Sequence, residues 1–123
     1  MPAVIPILRY KDAPRAIDFL ETAFGFTRQM VHEGDDGEIL HAQLTYGDGM
    51  VMLSSDRDDG FGSHVGEGWQ YVVVEDADAH FAQAKQAGAE ILSELADQDY
   101  GSRDYSARDF EGNRWSFGTY RPD

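Results

Sequence analysis

The feature that most constrains this chain is that it repeats itself. Asp12-Ala13-Pro14-Arg15-Ala16-Ile17 follows an extended apolar run at 4–10, and Asp76-Ala77-Asp78-Ala79-His80-Phe81 follows another at 69–74. The offset of 64 that joins Asp12 to Asp76 also pairs Ala13 with Ala77, Ile17 with Phe81, Leu20 with Ala84 and Ala23 with Ala87. Further on, Gly47-Asp48-Gly49 ahead of 50–53 echoes Phe110-Glu111-Gly112 ahead of 114–117, at an offset of 63. A period this long exceeds the unit of a solenoid and marks a duplicated supersecondary module.

Both copies read as βαβββ. In the first, Asp12 is a helix N-cap, Pro14 is tolerated in the first turn, and Gly25 can end the helix. Ala16, Ile17, Leu20, Ala23 and Phe24 recur at helical spacing and predict one buried face. Segments 26–33 and 38–46 flank Gly34-Asp35-Asp36-Gly37, a hairpin signal, and 50–54 is the last strand. In the second copy, Asp76 caps a helix with Phe81, Ala84 and Ala87 on one face and Gly88 as its stop. Strands at 90–95, 103–108 and 114–120 follow. The expected fold is therefore α+β, two βαβββ modules forming a curved mixed sheet. Module one is 1–55, a polar connection with several glycines is 56–67, and module two is 68–123, all within one domain.

Charge and composition narrow the function classes. The chain has 123 residues, with 10 Lys+Arg against 23 Asp+Glu, a net charge of −13 at pH 7. That field repels nucleic acid and anionic membrane surfaces and favours a cationic ligand. No apolar run is long enough to span a bilayer, and the first residues lack the basic-then-apolar pattern of a secretory signal. The chain has no cysteine, which rules out disulfides, thiolate metal sites and a cysteine nucleophile, and fits a cytoplasmic protein.

Few residues carry chemistry by motif. Ser54, Ser55 and Ser116 lie outside any nucleophile elbow, and no phosphate-cradling glycine loop is present. Of the four histidines, His80 sits in the second helix and His64 in the connection. A hairpin closed about Asp35-Asp36 sets Met30 opposite His41 and His32 opposite Ile39, so that His32 and His41 are diagonal neighbours on one face. Two imidazoles with Glu33 or Glu38 could hold a metal, but a site needs three or four converging ligands, and a hairpin with polar residues facing outward is the expected reading.

The run 100–120 is the most distinctive. Asp109-Phe110-Glu111-Gly112 is a turn, and the alternation beyond it sets Trp115 and Phe117 on one face, and Ser116, Gly118 and Tyr120 on the other. With the duplicated plan, this run resembles the vicinal oxygen chelate superfamily of glyoxalase I, extradiol dioxygenases, fosfomycin-modifying enzymes and bleomycin resistance proteins. The family commonly writes the turn Asp-Pro-Glu-Gly-Asn/His, and Phe110 replaces the proline here. Leu8-Arg9-Tyr10-Lys11-Asp12, Ala16-Ile17-Asp18-Phe19-Leu20 and Phe24-Gly25-Phe26 are similar to the family's opening motif.

The resemblance implies metal-ligand positions on four strands, and these fall on Ile5, Met52, Trp69 (or its neighbour Gln70) and Ser116. Isoleucine, methionine and tryptophan do not hold a hard divalent ion and a lone serine is a poor ligand, so neither metal nor other cofactor is expected. Alternation groups Ile5, Ile7 and Arg9; Met50, Met52 and Ser54; Trp69, Tyr71 and Val73; and Ser116, Gly118 and Tyr120. If these are the concave faces, they form an apolar, aromatic groove of the kind that binds small molecules. The expected ligand-binding residues are Ile7, Arg9, Met50, Met52, Trp69, Tyr71, Arg103, Tyr105, Ser116 and Tyr120. The resemblance implies a metal-free, homodimeric protein of the glyoxalase/bleomycin-resistance type that sequesters an antibiotic or aromatic metabolite, cationic or planar, without catalysis. The alternative is a lyase, isomerase or dioxygenase-like enzyme with non-standard residues or ligands, such as His32 and His41.

Overall fold

A computed structural model describes residues 2–60 and 64–122; residues 1, 61–63 and 123 of the expected modules and connection lie outside the described residues. The element order is β1 (Ile7–Tyr10), α1 (Ala13–Phe24), β2 (Thr27–Glu33), a short 3-10 turn (Asp35–Gly37), β3 (Ile39–Tyr46) and β4 (Gly49–Ser55). Module two continues with β5 (Trp69–Val73), α2 (Ala77–Gln86), β6 (Glu90–Asp97), β7 (Arg103–Arg108) and β8 (Arg114–Gly118). The fold is α+β and consists of two βαβββ modules. Each module makes its own four-stranded mixed sheet, in the orders β1-β4-β3-β2 and β5-β8-β7-β6. The first strand of each lies parallel to the last, and the other neighbours are antiparallel.

Local sequence explains most of the boundaries. The Asp12 carboxylate accepts from the Arg15 amide at 3.2 Å, and Gly25 ends α1 in the left-handed region at φ 79°. Asp76 caps α2 in the same way through Ala79 at 3.0 Å. Helix α1 buries Ala16, Ile17, Leu20, Ala23 and Phe24, the face its spacing predicted. Large side chains buried in this way contribute roughly 1.5–3 kcal/mol each. The α2 face is rotated from expectation. Ala77, His80 and Ala84 are buried, while Phe81 and Ala87 lie at the margin of the core.

One hydrophobic cluster draws on both modules. Phe24 at the end of α1 meets Phe117 at 4.8 Å and Trp115 at 5.6 Å across the module boundary. His80 stands among these rings. Its Nε2 lies 2.8 Å from the Phe24 carbonyl and its Nδ1 2.6 Å from the Tyr105 hydroxyl. A carbonyl only accepts, so Nε2 carries the proton and Nδ1 accepts from Tyr105. Burial lowers the His80 pKa and raises that of Tyr105.

The distinctive turn is the second joint between the modules. Asp109 is 2% exposed, and its carboxylate accepts from the Tyr10 hydroxyl at 2.7 Å, the Asn113 amide side chain and Trp115 indole at 3.1 Å each, and the backbone amides of Glu111 and Asn113. Glu111 accepts from the Lys11 and Asp12 amides at 2.6 and 2.7 Å, and Asn113 accepts from Gly68 at 2.8 Å. Phe110, in the place of a proline, packs on Tyr10 and Phe19, with the Arg15 guanidinium 4.1 Å above its ring.

Candidate functional site

With the helices and the turn facing inward, one face of each sheet is left open. Cross-strand partners project from the same face, so the register gives its composition. On sheet one the central row is Ile7, Met52, Gln43 and Met30. On sheet two one row is Tyr71, Ser116, Ser106 and Ser93, and beside it run Trp69, Arg114, Arg108 and Glu90.

Two aromatic rings dominate sheet two's open face. Trp69 is 66% exposed and Tyr71 43%. Neither ring is loosely held. The Trp69 indole N–H donates to the Ser116 hydroxyl at 3.0 Å, which lies 2.9 Å from the Ser106 hydroxyl. The Tyr71 hydroxyl donates to the Tyr120 carbonyl at 2.7 Å, and burial raises its pKa. Gly118 makes room for that reach, because a Cβ there would stand 2.8 Å from the Tyr71 hydroxyl oxygen. The Arg114 guanidinium lies 5.5 Å from the Trp69 ring centroid. Arg114 shares the parity of Ser116 and Gly118, so the alternation that marked those two also contained it.

The expected site residues divide by face. Ile7, Met52, Trp69, Tyr71 and Ser116 lie on the open faces; Ile7 is 65% exposed. Met50 is on the same side of β4 but nearly covered. Arg9 pairs with Asp59 and donates to the Arg57 carbonyl at 3.0 Å, which ties it to the connection. Tyr120 follows β8, with its ring edge-on to Tyr100 at 5.7 Å. Two positions require correction. Tyr105 is opposite Phe117, fully buried against His80, and Arg103 reaches Asp78 of α2 at 2.9 Å and Asp97 at 3.2 Å. Both side chains are on the helix-facing side of β7, because β7 and β8 pair in a register that sets Ser106, not Tyr105, beside Ser116.

The donors at the four family positions do not fit a divalent metal. Trp69 and Ser116 are bonded to each other, Met52 offers a thioether, and Ile5 offers nothing. The histidine pair also differs from expectation. His32 is directly opposite His41, and Met30 opposite Gln43, because the turn displaces the register by one residue, setting Glu33 opposite Ile39, and a bulge that leaves Leu40 without a partner displaces it by one more. His41 Nε2 lies 2.9 Å from the Gln43 side-chain oxygen. Among the described residues, no group of three or more His, Cys, Asp or Glu side chains converges as a metal site. Among them, too, no helix is long and apolar enough to cross a membrane.

This pairing of two βαβββ units through their helices and the turn, with one face of each sheet left open, defines a glyoxalase-like protein, and the comparisons agree. The sequence profile of the Glyoxalase/Bleomycin resistance protein/Dioxygenase superfamily matches residues 4–117, and the chain belongs to that superfamily. An uncharacterized protein of Mycobacterium bovis is 34% identical over 125 residues, covering 95% of this chain and 82% of its own. Among solved structures, TioX from Micromonospora sp. ML1 is 34% identical with a TM-score of 0.83, covering 98% of this chain and all of TioX (100%). UcmS2, at 17% identity, TM-score 0.73 and coverage of 98% and 100%, shares the fold.

Proposed function

We propose that the protein is a metal-independent binding protein, not an enzyme, that holds a planar aromatic antibiotic or metabolite against Trp69 and Tyr71 and so removes it from solution. The observation that carries this reading is a large indole kept open to solvent while its N–H is already satisfied by Ser116. Such a ring is oriented before a ligand arrives, which lowers the entropic cost of stacking. Arg114 already occupies the cation's place at that ring, so a planar ligand suits it better than a cationic one. Ile7, Arg9, Met50, Met52, Ser116 and Tyr120 are the remaining candidate contacts. Arg103 and Tyr105 are not proposed.

The site is proposed to be completed in a homodimer. Val4, Ile7 and Trp69 are exposed, and β1 and β5 are unpaired sheet edges, so the open face of one copy can cover that of another. A thermal-shift screen of aromatic antibiotics and metabolites, followed by titration of the best hit, tests the reading. Trp69→Ala is expected to weaken that ligand by ~2 kcal/mol, about thirtyfold. An unchanged affinity in a folded variant refutes the site, and a monomer mass by light scattering with and without ligand refutes the dimer.

A further inference from the structure

A second concavity lies away from the open sheet faces. Between the β3–β4 hairpin of module one and the edge strand β5 of module two is a cleft of about 600 Å³. Its inner lining is Phe26, Val51, Val72 and Trp115, three of them buried residues of the core. Trp69, Ile7 and Ser116 do not line it, although Met50 and Tyr71 border both places. The volume falls within the range of small-molecule pockets.

The chemistry of the lining defines what would fit. The two charged lining residues, Asp48 and Arg121, are exposed and opposite in sign. A charged ligand would leave water for an apolar interior and gain from one of these groups what it loses to the other. The rings already present meet tilted or edge to face. Phe26 lies 5.5 Å from Tyr46 at 53° and 5.6 Å from Trp115 at 72°. An added aromatic ring continues that arrangement favourably.

The hairpin that borders the cleft keeps it open. Gly47 has φ 57°, a conformation that favours glycine. Gly49 is not in the left-handed region, and a Cβ there would meet only the Tyr46 carbonyl oxygen, at 3.4 Å. The backbone does not require glycine at 49, and its missing side chain leaves volume in the cleft.

We propose that this cleft is a second small-molecule site, separate from the Trp69 face, and that it takes an uncharged aromatic molecule of two or three fused rings with one hydroxyl or carbonyl group directed toward Asp48 and Arg121. The cleft shares Met50 and Tyr71 with the open-face site and Val4 with the proposed dimer face, but its inner lining of Phe26, Val51, Val72 and Trp115 takes no part in the function proposed above.

The chain has two tryptophans, so its two indole N–H signals report both places in one NMR titration with naphthol. The Trp115 signal is expected to shift and saturate, whether or not naphthol also stacks on Trp69. Gly49→Leu, checked for an unchanged fold by its spectrum, is expected to weaken naphthol by ~5-fold or more by filling the cleft. Naphthoate and naphthylmethylammonium should both bind more weakly than naphthol. Cross-peaks from naphthol to the Phe26 or Tyr46 rings of the unaltered chain are expected as well, and need no substitution. The proposal is overturned if those cross-peaks are absent, if Trp69 shifts and Trp115 does not, if Gly49→Leu binds as the unaltered chain does, or if either charged probe binds more tightly than naphthol.

Discussion

Asp109 organises the turn of module two and ties it to Tyr10 of module one, and its removal should cost more stability than that of any other single polar side chain described above. Its carboxylate serves five donors, three of them on the fully buried side chains of Tyr10, Asn113 and Trp115. Asp109→Ala leaves all five without their acceptor. A buried donor left unpaired costs roughly 1–3 kcal/mol, so the three side-chain donors alone set a loss of about 3–5 kcal/mol at the low end of that range. This is a large part of the ~5–15 kcal/mol that stabilises an ordinary domain. Urea unfolding followed by far-UV circular dichroism measures it. With an m-value of about 1.5 kcal/mol per molar, 3 kcal/mol lowers the midpoint by about 2 M. Tyr10→Phe removes one donor and leaves the carboxylate four, so it should cost only ~1 kcal/mol. The double variant should lose less than the sum of the two, since both remove the same bond. A loss below about 1 kcal/mol for Asp109→Ala would refute the cost assigned to its buried donors, and strict additivity with Tyr10→Phe would refute the bond that ties this turn to module one.

Three further outcomes follow from the structure. Because burial lowers the His80 pKa, the unfolded chain binds the proton more readily; stability is fully present above the ordinary histidine value of 6.5 and falls as pH drops through the lowered folded value, and melting temperatures between pH 7 and 5 should show this loss much reduced in His80→Gln. Gly118→Ala forces a Cβ to within 2.8 Å of both the Tyr71 hydroxyl oxygen and the Asp104 Cβ, and should lower stability by ~1–3 kcal/mol in urea melts, with partial recovery in Gly118→Ala/Tyr71→Phe. Protein incubated with excess zinc, nickel or manganese and then desalted should retain no stoichiometric metal by elemental analysis, and near-unit metal that is lost in His32→Ala/His41→Ala would overturn the assignment of the open faces as a metal-independent site.

Local chemistry was enough to define the elements. Helix caps at Asp12 and Asp76, the stop at Gly25, and the two strand and helix periodicities depend on neighbours within about four residues, so sequence alone determined the βαβββ repeat and with it the superfamily. It also determined that Trp115 and Phe117 share one side and Ser116 and Gly118 the other, because side chains alternate along any strand. Parity does not say which side of a neighbouring strand matches it. Pairing register decides that, and a single bulge or turn residue reverses it. Counting back from Arg108 opposite Arg114 places Tyr105 beside Phe117 in the core, while a turn one residue longer than expected and the bulge at Leu40 together bring His32 directly opposite His41. Contacts between the modules were the least legible. The partners of His80 at Phe24, and of Glu111 at Lys11 and Asp12, are 56 to 100 residues away, and only the packing of one module on the other brings them within hydrogen-bonding distance.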